Sequence, residues 1–285
     1  MKNAYTHQVE KEISRLNAIG WRDFPNDLVG VRRPSEVDVS LISYPNEAYD
    51  LESAAAESDG QWAQHRAKII GDFLCTHGLE LMWEIGAGVG NVAIPLRERG
   101  IAVIPIEPLI KGAERLAKSG FHAYCATLDQ LNLPDDSIDV VGIFDVLEHL
   151  ENPQVVLSEI RRVLKPGGFI ITTVPANPWL FSDYDISIGH FRRYSRKSLS
   201  DELSETGFKC HQINFMFFIF IFPAFILRTV PYKLGRVREY SSVSNSSKYL
   251  DSILRILGPV LKFLLKVESR FKLPAGLSLI SISTK

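Results

Sequence analysis

The apolar run Leu81 to Ile85 ends in Glu84-Ile85-Gly86-Ala87-Gly88-Val89-Gly90 and leads into a helical pattern from Asn91 to Arg99. Glycines at a strand-to-helix turn let the backbone approach a ligand closely. The unpaired N–H groups of the helix start lie beside it. A dinucleotide loop has the spacing GxGxxG. Here the third glycine follows the second by two residues, which disfavours a pyrophosphate and, with it, a nicotinamide-dependent reductase. A tight turn without a ligand would use the same residues. Glu107, one strand–helix–strand unit further on, closes a second apolar run. An acid there can accept hydrogen bonds from two ribose hydroxyls. The plain alternative is an exposed loop acid between Pro105 and Pro108, but the glycine loop favours the ribose reading. Asp129, after a third run, could accept a bond from an adenine amino group or be a solvated turn acid.

A second group of residues follows later in the chain. Gly189-His190-Phe191-Arg192-Arg193-Tyr194-Ser195 offers a base or orienting group in His190. Arg192, Arg193 and Tyr194 would contact a polar or anionic acceptor; alternatively they pin the loop to Asp183 or Asp185. Asp145, Glu148 and His149 combine carboxylates with imidazole, a set that suits divalent ions. A capped helix start beside the ligand explains them more simply, so no metal is expected. Asp145 is assigned to the nucleotide side and His149 to the acceptor side.

These residues need a scaffold, and the hydropathy pattern supplies one. Strands are predicted at Leu81–Ile85, Ile101–Ile106, His122–Cys125, Ile138–Phe144, Phe169–Val174, about Phe208–Phe215 and Leu277–Ser283. Helices fall between them, at Asn91–Arg99, Ile110–Ser119, a stretch opened by Asn152-Pro153, and Leu199–Glu205. Pro153 suits a first helical position and Asn152 an N-cap. Such alternation implies βαβ units and a parallel sheet covered on both faces. The fold class is therefore α/β: a Rossmann-like, seven-stranded, mostly parallel sheet. An N-terminal helical segment (1–77) precedes the core (78–215). A hydrophobic helical insertion (216–273) separates the core from its last strand (274–285).

In order and type, these pieces resemble the class I S-adenosylmethionine-dependent methyltransferases. The matching segments are Glu84 to Gly90, Glu107, Asp129 to Asp139, Asp145-Val146-Leu147-Glu148-His149-Leu150 and Leu164-Lys165-Pro166-Gly167-Gly168. Each is weak alone; five in order are specific. More loosely, Trp62 and Arg66 resemble a Trp-x-x-x-Arg helix, and His190 to Tyr194 a His-x-Arg-Arg-Tyr segment, of some relatives. The resemblance implies S-adenosylmethionine as cofactor at the carboxyl ends of the first four strands, contacted by Glu84, Gly86, Ala87, Gly88, Gly90 and Asp145. It also implies Glu107 on the ribose and Asp129 at the adenine end, with Leu128 or Gln130 as alternative backbone contacts, and a last strand that runs antiparallel. Displacement at a sulfonium needs mainly an acceptor held in line. A base is required only where the acceptor must lose a proton, so oxygen is favoured as the acceptor atom because His190 offers one. A non-catalytic cofactor-binding or membrane-associated scaffold is the competing reading, and turnover separates the two.

Composition narrows the partners. The net charge of -1 gives no broad positive field for nucleic acid. Cys75, Cys125 and Cys210 form no CxxC pair, so neither zinc ribbon nor disulfide framework is expected. The first residues lack an apolar signal core, which suggests the cytoplasm. Ile213 to Leu227 is intensely apolar but short for a membrane span and interrupted by Pro223. With an amphipathic helix at 250–270, region 215–270 suggests a lipid-linked acceptor or a peripheral membrane surface, or else a cap buried on the sheet.

Overall fold

The computed structural model describes residues 61–236 and 273–285, with Glu10, Lys11, Ser14, Val31, Arg32, Ser43, Tyr44, Leu264, Leu265 and Glu268 besides. Strands β1 (Val31–Arg32), β2 (Leu81–Ile85), β3 (Ala102–Ile106), β4 (Ala123–Tyr124), β5 (Ile138–Phe144), β6 (Leu164–Pro175), β7 (Lys209–Met216) and β8 (Ser278–Thr284) form one sheet. Its order is β1-β4-β3-β2-β5-β6-β8-β7. β2 to β6 pair in parallel, and β8 runs antiparallel to both β6 and β7. The seven expected strands are all present. The two-residue β1 adds an eighth at the edge beside β4, which the irregular N-terminal reading had not placed.

The principal helices are α1 (Gln61–Thr76), α2 (Ala93–Glu98), α3 (Ile110–Lys118), α4 (Pro153–Val163), α5 (Asp183–Ser187) and α6 (Arg196–Glu205). Period-two alternation in each strand divides the core in two. Trp83, Ile104 and Val141 pack with Leu157 and Ile160 of α4 and Leu199 and Leu203 of α6. Met82, Val103 and Val140 pack with Ala67, Ile70 and Leu74 of α1, Leu96 of α2 and Leu116 of α3. Strands buried on both faces are apolar almost throughout, as parallel strands between two helical layers must be. Pro153 stands at the start of α4, but the Asn152 side chain makes no cap hydrogen bond.

The Phe-rich run does not behave as one lobe. Phe217 and Phe220 belong to the core, and the Trp62 ring stacks on Phe217 at 3.4 Å between centroids. Beyond them the chain passes through Phe218–Phe220, Ile221–Ala224, Phe225–Thr229 and Val230–Lys233 as a 3-10 turn, α-turn, π-turn and α-turn in succession. Pro223 and Pro231 remove backbone donors there, and regular i→i−4 bonding breaks. This stretch exposes Phe218, Phe222, Ile226, Leu227 and Leu234. The amphipathic helix expected at 250–270 lies outside the described residues, apart from Leu264, Leu265 and Glu268. Among the described residues, no helix is long and apolar enough to cross a membrane.

Candidate active site

The strand order reverses between β2 and β5: β3 and β4 follow β2 to one side, β6 follows β5 to the other. In open α/β sheets the crevice at such a reversal, outside the carboxyl ends of the strands, is where ligands bind. The glycine loop leaves β2 there and Asp145 leaves β5.

Gly86, Gly88 and Gly90 all have positive φ, at 67°, 56° and 89°. At Gly86 a Cβ would lie 2.5 Å from Val146 Cγ2, so this turn is closed to any side chain. Gly86 and Ala87 donate to the Ile106 carbonyl at 2.8 and 3.1 Å, which ties the loop to the end of β3. Glu107 follows directly and is buried. Its carboxylate accepts from Gly88 N at 2.7 Å and from Leu109 N at 2.8 Å. The acid and the loop, separate in sequence, thus form one wall. Asp129 opens a 3-10 turn (Asp129–Leu131) beyond β4, with its side chain exposed. Gln130 turns inward and accepts from Thr127 N at 3.0 Å.

Glu84 shares the α1 side of the sheet with Met82, because residues two apart on a strand face the same way. It is 2% exposed, and one carboxylate oxygen finds no partner among the described residues. Burial pushes its pKa up to about 8; Arg66 opposes the shift and Glu107 reinforces it. A carboxyl whose folded pKa is raised favours folding in its protonated form. That contribution is fully present below the ordinary value of 4.5 and is lost as pH rises through about 8. Glu84→Gln should therefore flatten the fall in stability across this window, as read from urea unfolding at several pH values. An unchanged slope would show that Glu84 ionises normally.

Asp145 sits in the left-handed region, at φ 55°. Its backbone N–H donates to the Thr173 carbonyl at 2.8 Å, and the Thr173 hydroxyl donates to Oδ1 at 3.0 Å. Arg66, buried on α1, contacts Oδ2 at 2.6 Å. Arg66 thus places a buried positive charge beside Asp145. Its sequence signal was the Trp62–Arg66 spacing, which carried no assigned role.

The second group of residues converges on Asp185 of α5. Its Oδ1 accepts from His190 Nδ1 at 2.9 Å and from Arg193 Nε at 2.7 Å. Burial opposes ionisation of Asp185, but the His190 bond and the Arg193 charge outweigh it and hold the carboxyl below its usual range. Glu148 Oε1 lies 3.8 Å from His190 Nε2. The His149 ring meets His190 edge-on at 4.6 Å between centroids. Ser43 donates to the carbonyls of His149 and Gly189 and fastens the two segments together. Glu148 is fully buried, and both burial and nearby Asp145 raise its pKa well above the usual value.

Three residues expected on the acceptor side make contacts of the kind the alternative, loop-pinning reading describes. Arg193 is buried and pins its loop to Asp185 and the Ala176 carbonyl. Arg192 donates to the Glu151 carbonyl at 2.8 Å. The Tyr194 ring lies in the core with Leu199 and Leu203, where burial drives its phenol far above its ordinary range. These contacts hold the loop together with its backbone bonds from Phe191 N to the Glu148 carbonyl and from Tyr194 N to the Pro175 carbonyl.

The family model described as a methyltransferase domain matches residues 83–172, from β2 through most of β6, the span that builds the crevice. Residues 83–172 thus match a methyltransferase domain. It is 27% identical over 114 residues to a ubiquinone biosynthesis O-methyltransferase of Bradyrhizobium, covering 37% of this chain and 43% of that protein. It is 29% identical over 155 residues to an uncharacterized methyltransferase of Mycobacterium bovis, covering 47% and 59% respectively. The chain thus matches about half the length of these relatives. Among solved structures, the complex of the Haloferax volcanii Trm112 methyltransferase activator with a methyltransferase aligns with TM-score 0.50 at 15% identity. The alignment covers 82% of this chain and 95% of that chain, and shows the same fold. S-adenosylmethionine is the cofactor of this domain. The donor set fits such a group: a turn closed to side chains, a buried acid beside it at Glu107, and an unsatisfied buried carboxyl oxygen at Glu84.

Proposed function

We propose that this chain transfers the methyl group of S-adenosylmethionine to an oxygen of a small-molecule, glycan or lipid-linked acceptor. The observation that carries the reading is the wall made by the Gly86–Gly90 loop and Glu107, joined through Gly88 N–H at the reversal of the strand order. In this reading Glu107 accepts from the ribose hydroxyls, Gly86 to Gly90 line the cofactor's chain, and Asp129 or the backbone of Leu128 or Gln130 meets the adenine. Asp145, steadied by Arg66 and Thr173, closes the crevice from the β5 side.

Bound S-adenosylmethionine supplies a methyl group already activated on a sulfonium. The chain's own residues need to align the acceptor and exclude water. His190 is the base: Asp185 accepts from Nδ1 and so directs Nε2 inward, the orientation that lets a neutral imidazole take a proton. His149, packed against His190, completes the acceptor wall. Oxygen as the acceptor atom is supported by the Bradyrhizobium relative, whose name gives it as an O-methyltransferase in ubiquinone biosynthesis.

The exposed Phe218, Phe222, Ile226 and Leu227 support an apolar tail on the acceptor. That stretch docks beside the acceptor segment: Thr229 donates to the Leu180 carbonyl at 3.1 Å, and Arg228 lies over the Tyr184 ring at 3.9 Å. Apolar surface next to a reaction centre suits a lipid-linked substrate taken from a membrane face.

Calorimetric titration with S-adenosylhomocysteine tests the cofactor wall. Glu107→Ala removes a charged acceptor of two hydrogen bonds, each worth about 1.5–3 kcal/mol, so affinity should fall by a factor of hundreds or more. Equal affinity in the variant would sink the assignment. Binding without turnover across oxygen acceptors, including isoprenoid phenols, would instead favour a non-catalytic scaffold.

A further inference from the structure

We infer that Glu148, His149 and His190 form a binding site for one divalent transition-metal ion. One ligand atom from each lies within 4.8 Å of the others. The three come from two segments that only the fold brings together, the turn after β5 and the loop after α5.

Three further observations point to an ion rather than to a buried polar knot. Glu148 is fully buried, and neither carboxylate oxygen has a hydrogen-bond partner among the described residues. His149 is 6% exposed and its Nδ1 is likewise unpartnered. Buried polar atoms in folded proteins are almost always satisfied, so three orphans on two neighbouring residues of one cluster call for a partner. The two nearby guanidiniums do not supply it. Arg66 pairs with Asp145, and Arg193 with Asp185.

The outer contacts are those of metal-binding histidines. His190 Nδ1 is engaged by the Asp185 carboxylate, which leaves Nε2 directed at Glu148. The His149 ring lies near the Gly189 carbonyl, and its Nδ1 has no partner among the described residues. A carboxylate or carbonyl on the far ring nitrogen fixes tautomer and orientation in such sites. Tetrahedral ligands at zinc-type bond lengths stand about 3.4 Å apart, close to the 3.8 Å between Glu148 Oε1 and His190 Nε2. Two imidazoles and one carboxylate suit zinc, cobalt, iron or manganese rather than magnesium or calcium, which prefer all-oxygen shells.

An ion here would change the role of His190. Its Nε2 would be a ligand, and an acceptor hydroxyl made more acidic by the ion's charge would lose its proton to solvent water rather than to imidazole. Metal binding itself does not depend on methyl transfer.

The test is calorimetric titration of the purified chain with Zn2+, and visible spectroscopy with Co2+ as a probe. One equivalent should bind, with the intense absorption of a four- or five-coordinate cobalt site. Glu148→Gln, near-isosteric and without a charge to bury, should abolish both signals. Asp185→Asn leaves the three ligands in place and should weaken binding about ten- to a hundredfold. Failure of the folded wild type to bind either ion overturns the site. So does one-to-one binding that both variants retain. S-adenosylhomocysteine titrated into the same samples separates the two readings: cofactor binding without metal binding removes only the ion, and metal binding without cofactor binding removes only the methyl-transfer site.

Discussion

Gly86→Ala should cost about 3 kcal/mol of folding stability and remove detectable binding of S-adenosylhomocysteine. Two terms add. A non-glycine residue held in the left-handed region loses about 1–2 kcal/mol, and Gly86 sits there at φ 67°. The new Cβ would also meet Val146 Cγ2 at 2.5 Å, an overpacking that typically costs about 1–3 kcal/mol. Val146→Ala in the same chain should relieve the second term and leave the first. Urea unfolding of the single and double variants then separates strain from contact. A single variant as stable as the parent would show that the loop relaxes freely, and that its tight turn is no fixed wall. The effect on binding follows because Gly86 N and Ala87 N are the anchors to Ile106, and any shift moves Gly88 away from Glu107.

Arg66→Met should be nearly as costly, by about 3 kcal/mol. Breaking one side of a buried ion pair costs about 3–5 kcal/mol because the surviving charge stays uncompensated. The lower end applies here, since the side chain of Asp145 is 35% exposed and water screens part of the loss. Arg66 also offsets the burial of Glu84 and of Glu148, so its removal takes a compensating charge from three acids. Asp145→Asn should be costly as well, because it keeps an oxygen for the Thr173 hydroxyl but leaves the more buried Arg66 charge without its partner. Combining the two substitutions gives a double-mutant cycle, whose coupling should lie between about 0.5 and 3 kcal/mol for groups in direct contact. Additive losses would mean that the 2.6 Å contact carries no energy of its own.

The strands and helices were legible because their signals are local. A strand buried on both faces is apolar almost throughout, and Leu81–Ile85 and Ile138–Phe144, each interrupted by a single acid, are runs whose predicted bounds agree with β2 and β5. The glycine loop was legible for the same reason: three glycines at a strand-to-helix turn state a backbone requirement directly. The Phe-rich run was harder. Hydropathy alone treats Phe217 and Phe222 alike, yet one stacks under Trp62 in the core and the other is 71% exposed. Which face of an irregular helical turn meets the core depends on what packs against it, and Pro223 and Pro231 erase the period that would have indicated it.

The parallel α/β sheet, the glycine turn after β2 and the acid at the end of β3 could be read from the chain alone, since each rests on residues within one strand–turn–helix unit. Only the tertiary structure decided what Arg66, Asp185, Arg192, Arg193 and Tyr194 do. Their partners lie on other elements: Arg66 of α1 against Asp145 after β5, Tyr194 against the side chains of α6. A charged side chain's role depends on which opposite charge the fold brings near it and how much water it excludes, and neither quantity is written in the spacing of residues along the chain. The same holds for His190, whose spacing offered a base, while the approach of Glu148 and His149 from a separate segment offers an ion site in the same place.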